Sequence, residues 1–200
     1  MDNLKKAAKN VDSIVKIIMY WSVLGGFVTL LLGIVMLSDI SMNPEAARDY
    51  MMLSFGGIKV GIVPEYAPSV PFTNAKLFIG LLIGMIVYAG TFLATKIIRK
   101  ILQPMKEGMP FDVNISRYLR QLGVLTFIGG GSLSVIKAVD SWIVYKAYHV
   151  SELFHPERVN EVEMMLKMDW KFLIIAALIF LMSYIFQYGT ELQKLSDETL

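Results

Sequence analysis

The residues that could carry chemistry are few and scattered. His149, Glu152 and His155 recur at intervals of three. On a continuous helix, neighbouring members would share a side and could approach a zinc ion. There is no H-E-x-x-H, and the chain holds only these 2 histidines, so no full ligand set follows. Lys137 and Asp140, three apart in an apolar stretch, share a face of any helix that contains them and form an expected ion pair. That pair reads either as a polar relay or ligand contact, or as a pair near a membrane surface with the lysine stem snorkelling. Glu161 and Glu163 are two apart and face differently on a helix. The motifs G-x-S-x-G, G-K-[ST] and G-x-G-x-x-G do not occur. Cysteine is absent, which excludes disulfides, thiol redox chemistry and thiolate metal sites. The expectation is a protein that is not an enzyme, with no cofactor and no metal.

The elements that must position these residues are long and apolar. Hydrophobic residues make up 55% of the chain and charged ones 18%, against about 25% charged in ordinary soluble domains. Four blocks carry no charge at all: Ile17–Ser38, Leu77–Thr95, Gln121–Ile136 and Phe172–Thr190. As a helix, the first is roughly 33 Å long, enough for a hydrocarbon core of about 30 Å. It is longer than the apolar core of a cleaved signal peptide, so it reads as a retained span. The third block continues past Lys137 and Asp140 to Tyr145, where Trp142, Tyr145 and Tyr148 suggest an aromatic belt. The fold class expected is all-α, a polytopic membrane four-helix bundle forming a single domain over residues 1–200. The spans fall near 15–38, 77–98, 119–146 and 170–190, with outer loops 39–76 and 147–169 and an inner loop 99–118. An ordinary soluble enzyme and direct nucleic-acid binding are both excluded.

Charge orients the spans. Residues 1–16 hold 4 basic and 2 acidic side chains, and residues 96–120 hold 6 and 2. Residues 39–76 hold 3 basic and 4 acidic, and residues 137–171 hold 5 and 6. Basic segments stay inside, so both termini are expected in the cytoplasm and the protein in the inner membrane. The basic inner loop could also contact anionic lipid, although topology alone accounts for it. In the first outer loop, Met52–Phe55 and Ile58–Val63 flank Gly56-Gly57 and read as a hairpin. Pro64, Pro68 and Pro71 suggest an extended return. In the second, Pro156 and Glu157 suit the start of a short helix, with Val159, Val162, Leu166 and Trp170 along one side. Together these would make a small extracellular cap.

Small residues pattern the spans at intervals of four: Gly25, Thr29 and Gly33; Gly80 and Gly84; Gly130, Ser134 and Ala138. Such stripes let backbones approach closely. They serve packing within the bundle or, alternatively, a homo-oligomer.

The most informative stretch joins the second and third spans. Gly108 and Pro110 make a turn, Asp112 or Asn114 can cap the next helix, and Phe111 can anchor at the interface. Glu107, Gly108, Pro110, Phe111, Asn114, Leu119, Arg120 and Gly123 form one motif. Phe186, Gly189, Leu192, Gln193, Asp197, Glu198, Thr199 and Leu200 form a second at the C-terminus. The sequence resembles, through these two motifs, Domain of Unknown Function 2975, a family of small bacterial four-span membrane proteins. The resemblance implies no enzymatic activity. Because such genes commonly stand beside small helix-turn-helix regulators, it implies a regulatory or sensory membrane partner for such a regulator. A small transporter, channel or resistance factor is the alternative. The turn from Gly108 to Phe111 and the tail from Gly189 are expected to form one cytoplasmic patch, drawn together by a basic loop and an acidic tail. The orientation is testable directly. Single cysteines placed at Lys106 and at Pro68 are expected to label from opposite sides of the membrane; an impermeant reagent outside intact cells that labels both would refute the charge argument.

Overall fold

A computed structural model describes residues 2–42, 52–55, 58–61, 70–147, 149 and 169–198. Four long helices dominate: α1 (Asp2–Met42), α2 (Val70–Glu107), α3 (Val113–Ala147) and α4 (Lys171–Glu198). All four are long and apolar enough to cross a membrane, and at most 11% of each apolar window is covered by the rest of the chain. Uncovered rows such as Tyr20, Trp21, Phe27 and Ile34 on α1 would be an aggregation hazard in water and are ordinary against lipid. The chain is a multi-pass membrane protein whose four candidate spans are all helices.

The helices outrun the apolar blocks. Helix runs through most of the expected inner loop of residues 99–118, leaving five positions between Glu107 and Val113 outside the helices. Charges mark where hydrocarbon ends, but only a backbone constraint ends a helix. Gly108 supplies it with a φ of 91°, a conformation that costs a β-carbon dearly. Gly108 N–H donates to Met105 O at 3.2 Å and Met109 N–H to Pro104 O at 2.9 Å, the paired bonds of a Schellman stop. Asp112 then caps α3 by accepting the Asn114 N–H at 2.8 Å. Pro71 stands in the first turn of α2, where its missing N–H costs nothing, rather than in an extended return.

The chain divides into two compact units. The first comprises Met1–Phe27, Ile86–Leu133 and Asp169–Leu200. Within it α1 and α2 run antiparallel, with Ala8 and Val15 packed against Leu102, Ile98 and Met105. The Tyr88 ring occupies the space that a side chain at Gly25 would need. α3 and α4 also run antiparallel. A β-carbon at Gly123 would lie 2.9 Å from Phe180 Cε1, and one at Gly130 would overlap the Phe172 side chain. The covered positions recur every seven residues: Ala8, Val15 and Ser22 on α1; Thr95 and Leu102 on α2; Ala176, Ser183 and Thr190 on α4. This 3.5-residue period is that of a left-handed helix seam.

The second unit comprises Val28–Met85 and Ser134–Met168. In it Gly33 meets Leu81, and a β-carbon at Gly84 would lie 3.0 Å from Thr29 Cγ2. Gly80 has nothing within 4 Å, so only one half of its G-x-x-x-G lies in a seam. Lys146 Nζ sits 4.6 Å from the Trp142 ring centre. Two four-residue strands, β1 (Met52–Phe55) and β2 (Ile58–Gly61), pair antiparallel with Phe55 opposite Ile58. An extracellular cap is nonetheless not supported. The helix expected to complete it lies outside the described residues, apart from Asp169 and Trp170, which are not helical.

Gly129 and Gly130 separate the seam from helix propensity. Gly129 has nothing within 4 Å. Gly129→Ala is expected to raise stability by about 0.5–1 kcal/mol, and Gly130→Ala to lower it by about 1–3 kcal/mol through overpacking. Thermal unfolding in one detergent compares them; equal shifts would disprove the α3–α4 seam.

Candidate functional site

The two ends of the resemblance meet. Thr190 Oγ1 donates to Phe111 O at 3.1 Å and to Phe186 O at 2.9 Å. The Phe111 ring packs against the bare Cα of Gly189, where a β-carbon would lie 2.7 Å from Phe111 Cδ1 and Cε1. Phe186 completes the contact, its ring centre 6.1 Å from that of Phe111. One turn further along α3, Ser183 Oγ donates to Ser116 O at 2.7 Å. Ile115, with 0% exposure, is buried beside these contacts at the start of α3. Each hydroxyl is buried and reaches a backbone carbonyl of the neighbouring segment, so each polar group is satisfied within the protein.

The clasp is therefore built from an aromatic, a glycine and two hydroxyls, not from charge. The described ion pairs go elsewhere. Arg99 Nε and Lys106 Nζ both bind Asp12 of α1, at 3.0 and 2.9 Å to its two oxygens. Arg99 and Lys106 are seven apart, so they share the α2 stripe that faces α1. Asp12 lies ahead of the charge-free part of α1, with 13% of its side chain exposed. The hydrogen bond from Lys106, opposed by partial burial and assisted by Arg99, holds its carboxyl below the usual carboxylate range. Asp12 escaped the sequence reading. The signal available was an acid inside a basic segment, Asp12, and two bases a heptad apart, Arg99 and Lys106.

Of the remaining expected site residues, Gly108 lies under the Lys5 stem, whose Cε would be 2.7 Å from a β-carbon there. Pro110 is half-buried in the turn, and Asn114 is uncovered in the first turn of α3. Arg120 touches Gln187 Oε1 at 3.5 Å. Leu192, Gln193 and Glu198 are uncovered on the last turns of α4, and the Asp197 side chain lies outside the described residues, as do Thr199 and Leu200.

Lys137 is uncovered and Asp140 half-buried, and among the described residues no ion pair joins them. Shared helical spacing permits such a pair, but an exposed one gains little against the entropy of a long side chain. α3 ends at Ala147, so His149 does not continue the helix that its spacing to Glu152 and His155 would require. The latter two lie outside the described residues.

Two grooves open between α2 and α3. One, about 390 Å³, is lined by Lys96, Arg99, Lys100 and Gln103 of α2 and by Asp112, Asn114 and Tyr118. Lys100 Nζ lies 5.4 Å from the Tyr118 ring centre. The other, about 630 Å³, is apolar with basic residues on its α3 wall.

The family described as Protein of unknown function (DUF2975) matches residues 62–200. The chain belongs to that family. The match takes in α2, α3, α4 and both ends of the clasp. Neither curated proteins nor solved structures give a match.

The clasp predicts strong coupling between its two sides. Gly189→Ala is expected to cost about 1–3 kcal/mol in wild type. In a Phe111→Ala background most of that cost should vanish, a coupling of about 0.5–3 kcal/mol. Additive losses in a double-mutant unfolding cycle would show that the ring and the glycine act independently.

Proposed function

We propose that this protein is a regulatory or sensory membrane protein that binds a cytoplasmic helix-turn-helix regulator at its clasped end. The role is one of binding, not catalysis. Both termini and the Gly108–Phe111 turn lie in the cytoplasm in this reading, and the protein sits in the inner membrane. The excess of basic residues in 1–16 and 96–120 supports that orientation.

One observation carries the proposal. α4 does not stop at the clasp but continues as regular helix to Glu198, two turns past Thr190. Those turns present Leu192 and Leu195 uncovered, at 48% and 59% exposure, on one face. The last turns also carry Glu191, Asp197 and Glu198. An ordered helix with uncovered leucines and acids, held by its base, offers a partner a preformed surface and so lowers the ordering cost of binding. Lys137 and Asp140 line neither of the two grooves described between α2 and α3.

Removing Leu192–Leu200 tests this reading, because the cut falls beyond every clasp contact. Folding in detergent is expected to persist, while co-purification with a tagged, co-expressed helix-turn-helix regulator is lost. Unchanged capture of the regulator would sink the docking role, and unfolding would reassign the tail to the clasp itself.

A further inference from the structure

The larger groove between α2 and α3 is amphiphilic along its length. Arg117, Arg120 and Gln121 stand at one end, and Val124, Leu125 and Ile128 continue the same wall along α3. Leu93 and Ile97 of α2 form the facing wall. From Arg117 to Ile128 the wall runs roughly 16 Å along the helix axis. Gln121 opens the charge-free block that ends at Ile136. The polar end therefore stands where the chain leaves the interface, and the apolar end runs into the hydrocarbon layer.

Among the described residues no ion pair neutralises the charge at the polar end. No acid lines this groove. Among the described residues the ion pairs are those of Asp12 with Arg99 and Lys106. The contact of Arg120 is the neutral Gln187 amide, and the nearby Glu191 is engaged by Gln187 Nε2 at 3.3 Å. The smaller groove differs on this point: Asp112 lines it, and Arg99 there is already paired. Placing a topology signal requires only basic residues in the loop. It does not require two guanidinium groups three residues apart, on one helix face, at the head of an apolar trough. Guanidinium forks match phosphate oxygens in pairs of hydrogen bonds, and basic pockets between membrane helices suit anionic head groups.

We propose that this groove binds one acidic phospholipid, its phosphate held by Arg117 and Arg120 and an acyl chain laid along Leu93, Ile97 and Ile128. The site is separate from the clasp and does not depend on a protein partner.

The test uses the full-length protein in mild detergent, read by native mass spectrometry and by thermal unfolding. Dioleoyl-phosphatidylglycerol is titrated against dioleoyl-phosphatidylcholine, with glycerol 3-phosphate as a head group lacking chains. Wild type is expected to retain one phosphatidylglycerol in preference to phosphatidylcholine and to gain thermal stability from it. Arg117→Gln with Arg120→Gln should weaken that binding by about tenfold or more. Ile128→Trp, which fills the trough and leaves both arginines in place, should weaken it as well and serves if the double variant does not fold. Lys96→Gln with Lys100→Gln, in the smaller groove, should leave it unchanged. Three results would overturn the proposal: equal retention of the two lipids, equal loss from the lysine pair, or glycerol 3-phosphate binding as tightly as the lipid.

Discussion

Lipid chains are as apolar as leucine, so withdrawing side chains from water gives these helices no reason to associate. What remains is close contact between backbones, and the whole arrangement depends on it. Gly123 and Gly130 of α3 accept the Phe180 and Phe172 side chains of α4 with no room for a β-carbon. On α4 the covered positions are Ala176, Ser183 and Thr190. Their seven-residue spacing keeps small residues on one stripe only if the helices wind gently around each other, left-handed. Hydroxyls are tolerated in such a seam because each finds a carbonyl: Ser22 bonds Met19 O at 2.7 Å and Thr95 bonds Thr91 O at 2.9 Å. Ser183 and Thr190 go further and bond the opposite segment.

The clasp follows from that seam. Once Ser183 is set against Ser116, antiparallel packing at seven-residue intervals delivers Thr190 to the level of Phe111. There the Schellman stop at Gly108 and the Asp112 cap have already fixed the turn. A bare Gly189 lets the Phe111 ring lie on the α4 backbone. Part of the ring is left uncovered, at 43% exposure for the residue. A structural fastening and an exposed aromatic ring thus occupy one place.

Charge is distributed by the same geometry. Asp12 gathers Arg99 and Lys106, two turns apart on α2, onto one carboxylate and so ties the start of α1 to the end of α2. Ionised donors and acceptors make this stronger than a neutral contact, although pairs this close to solvent contribute only ~0.2–1 kcal/mol each. One acid against two bases leaves that end of the protein positive. The bases left over lie on the walls of the two α2–α3 grooves rather than spread along a loop, because helix replaces most of the loop.

By itself the sequence determined the class. Four apolar blocks, the third reaching hydrocarbon length only by continuing past Lys137 and Asp140 to Tyr145, admit few alternatives, since every backbone polar group in lipid must be bonded within its own helix. It also marked the turn, because a glycine and a proline flanking one residue stop a helix in any context. Tertiary structure decided the rest. The notation G-x-x-x-G is local and does not say at which level along the helix a neighbour comes close, so Gly84 packs while Gly80, on the same side one turn away, has nothing within 4 Å. Lys137 and Asp140 share a face but do not pair, because spacing sets proximity and not the balance of entropy against attraction. Asp12 became part of a site only when α2 was laid antiparallel on α1, bringing together residues 87 and 94 positions apart. The contact of turn and tail was legible in the two motifs, but its chemistry was not. Opposite charges suggested an electrostatic contact, and the fold made it from a ring, a glycine and two hydroxyls. Ser183 and Thr190 are buried there, and a buried hydroxyl must find its partner within the protein.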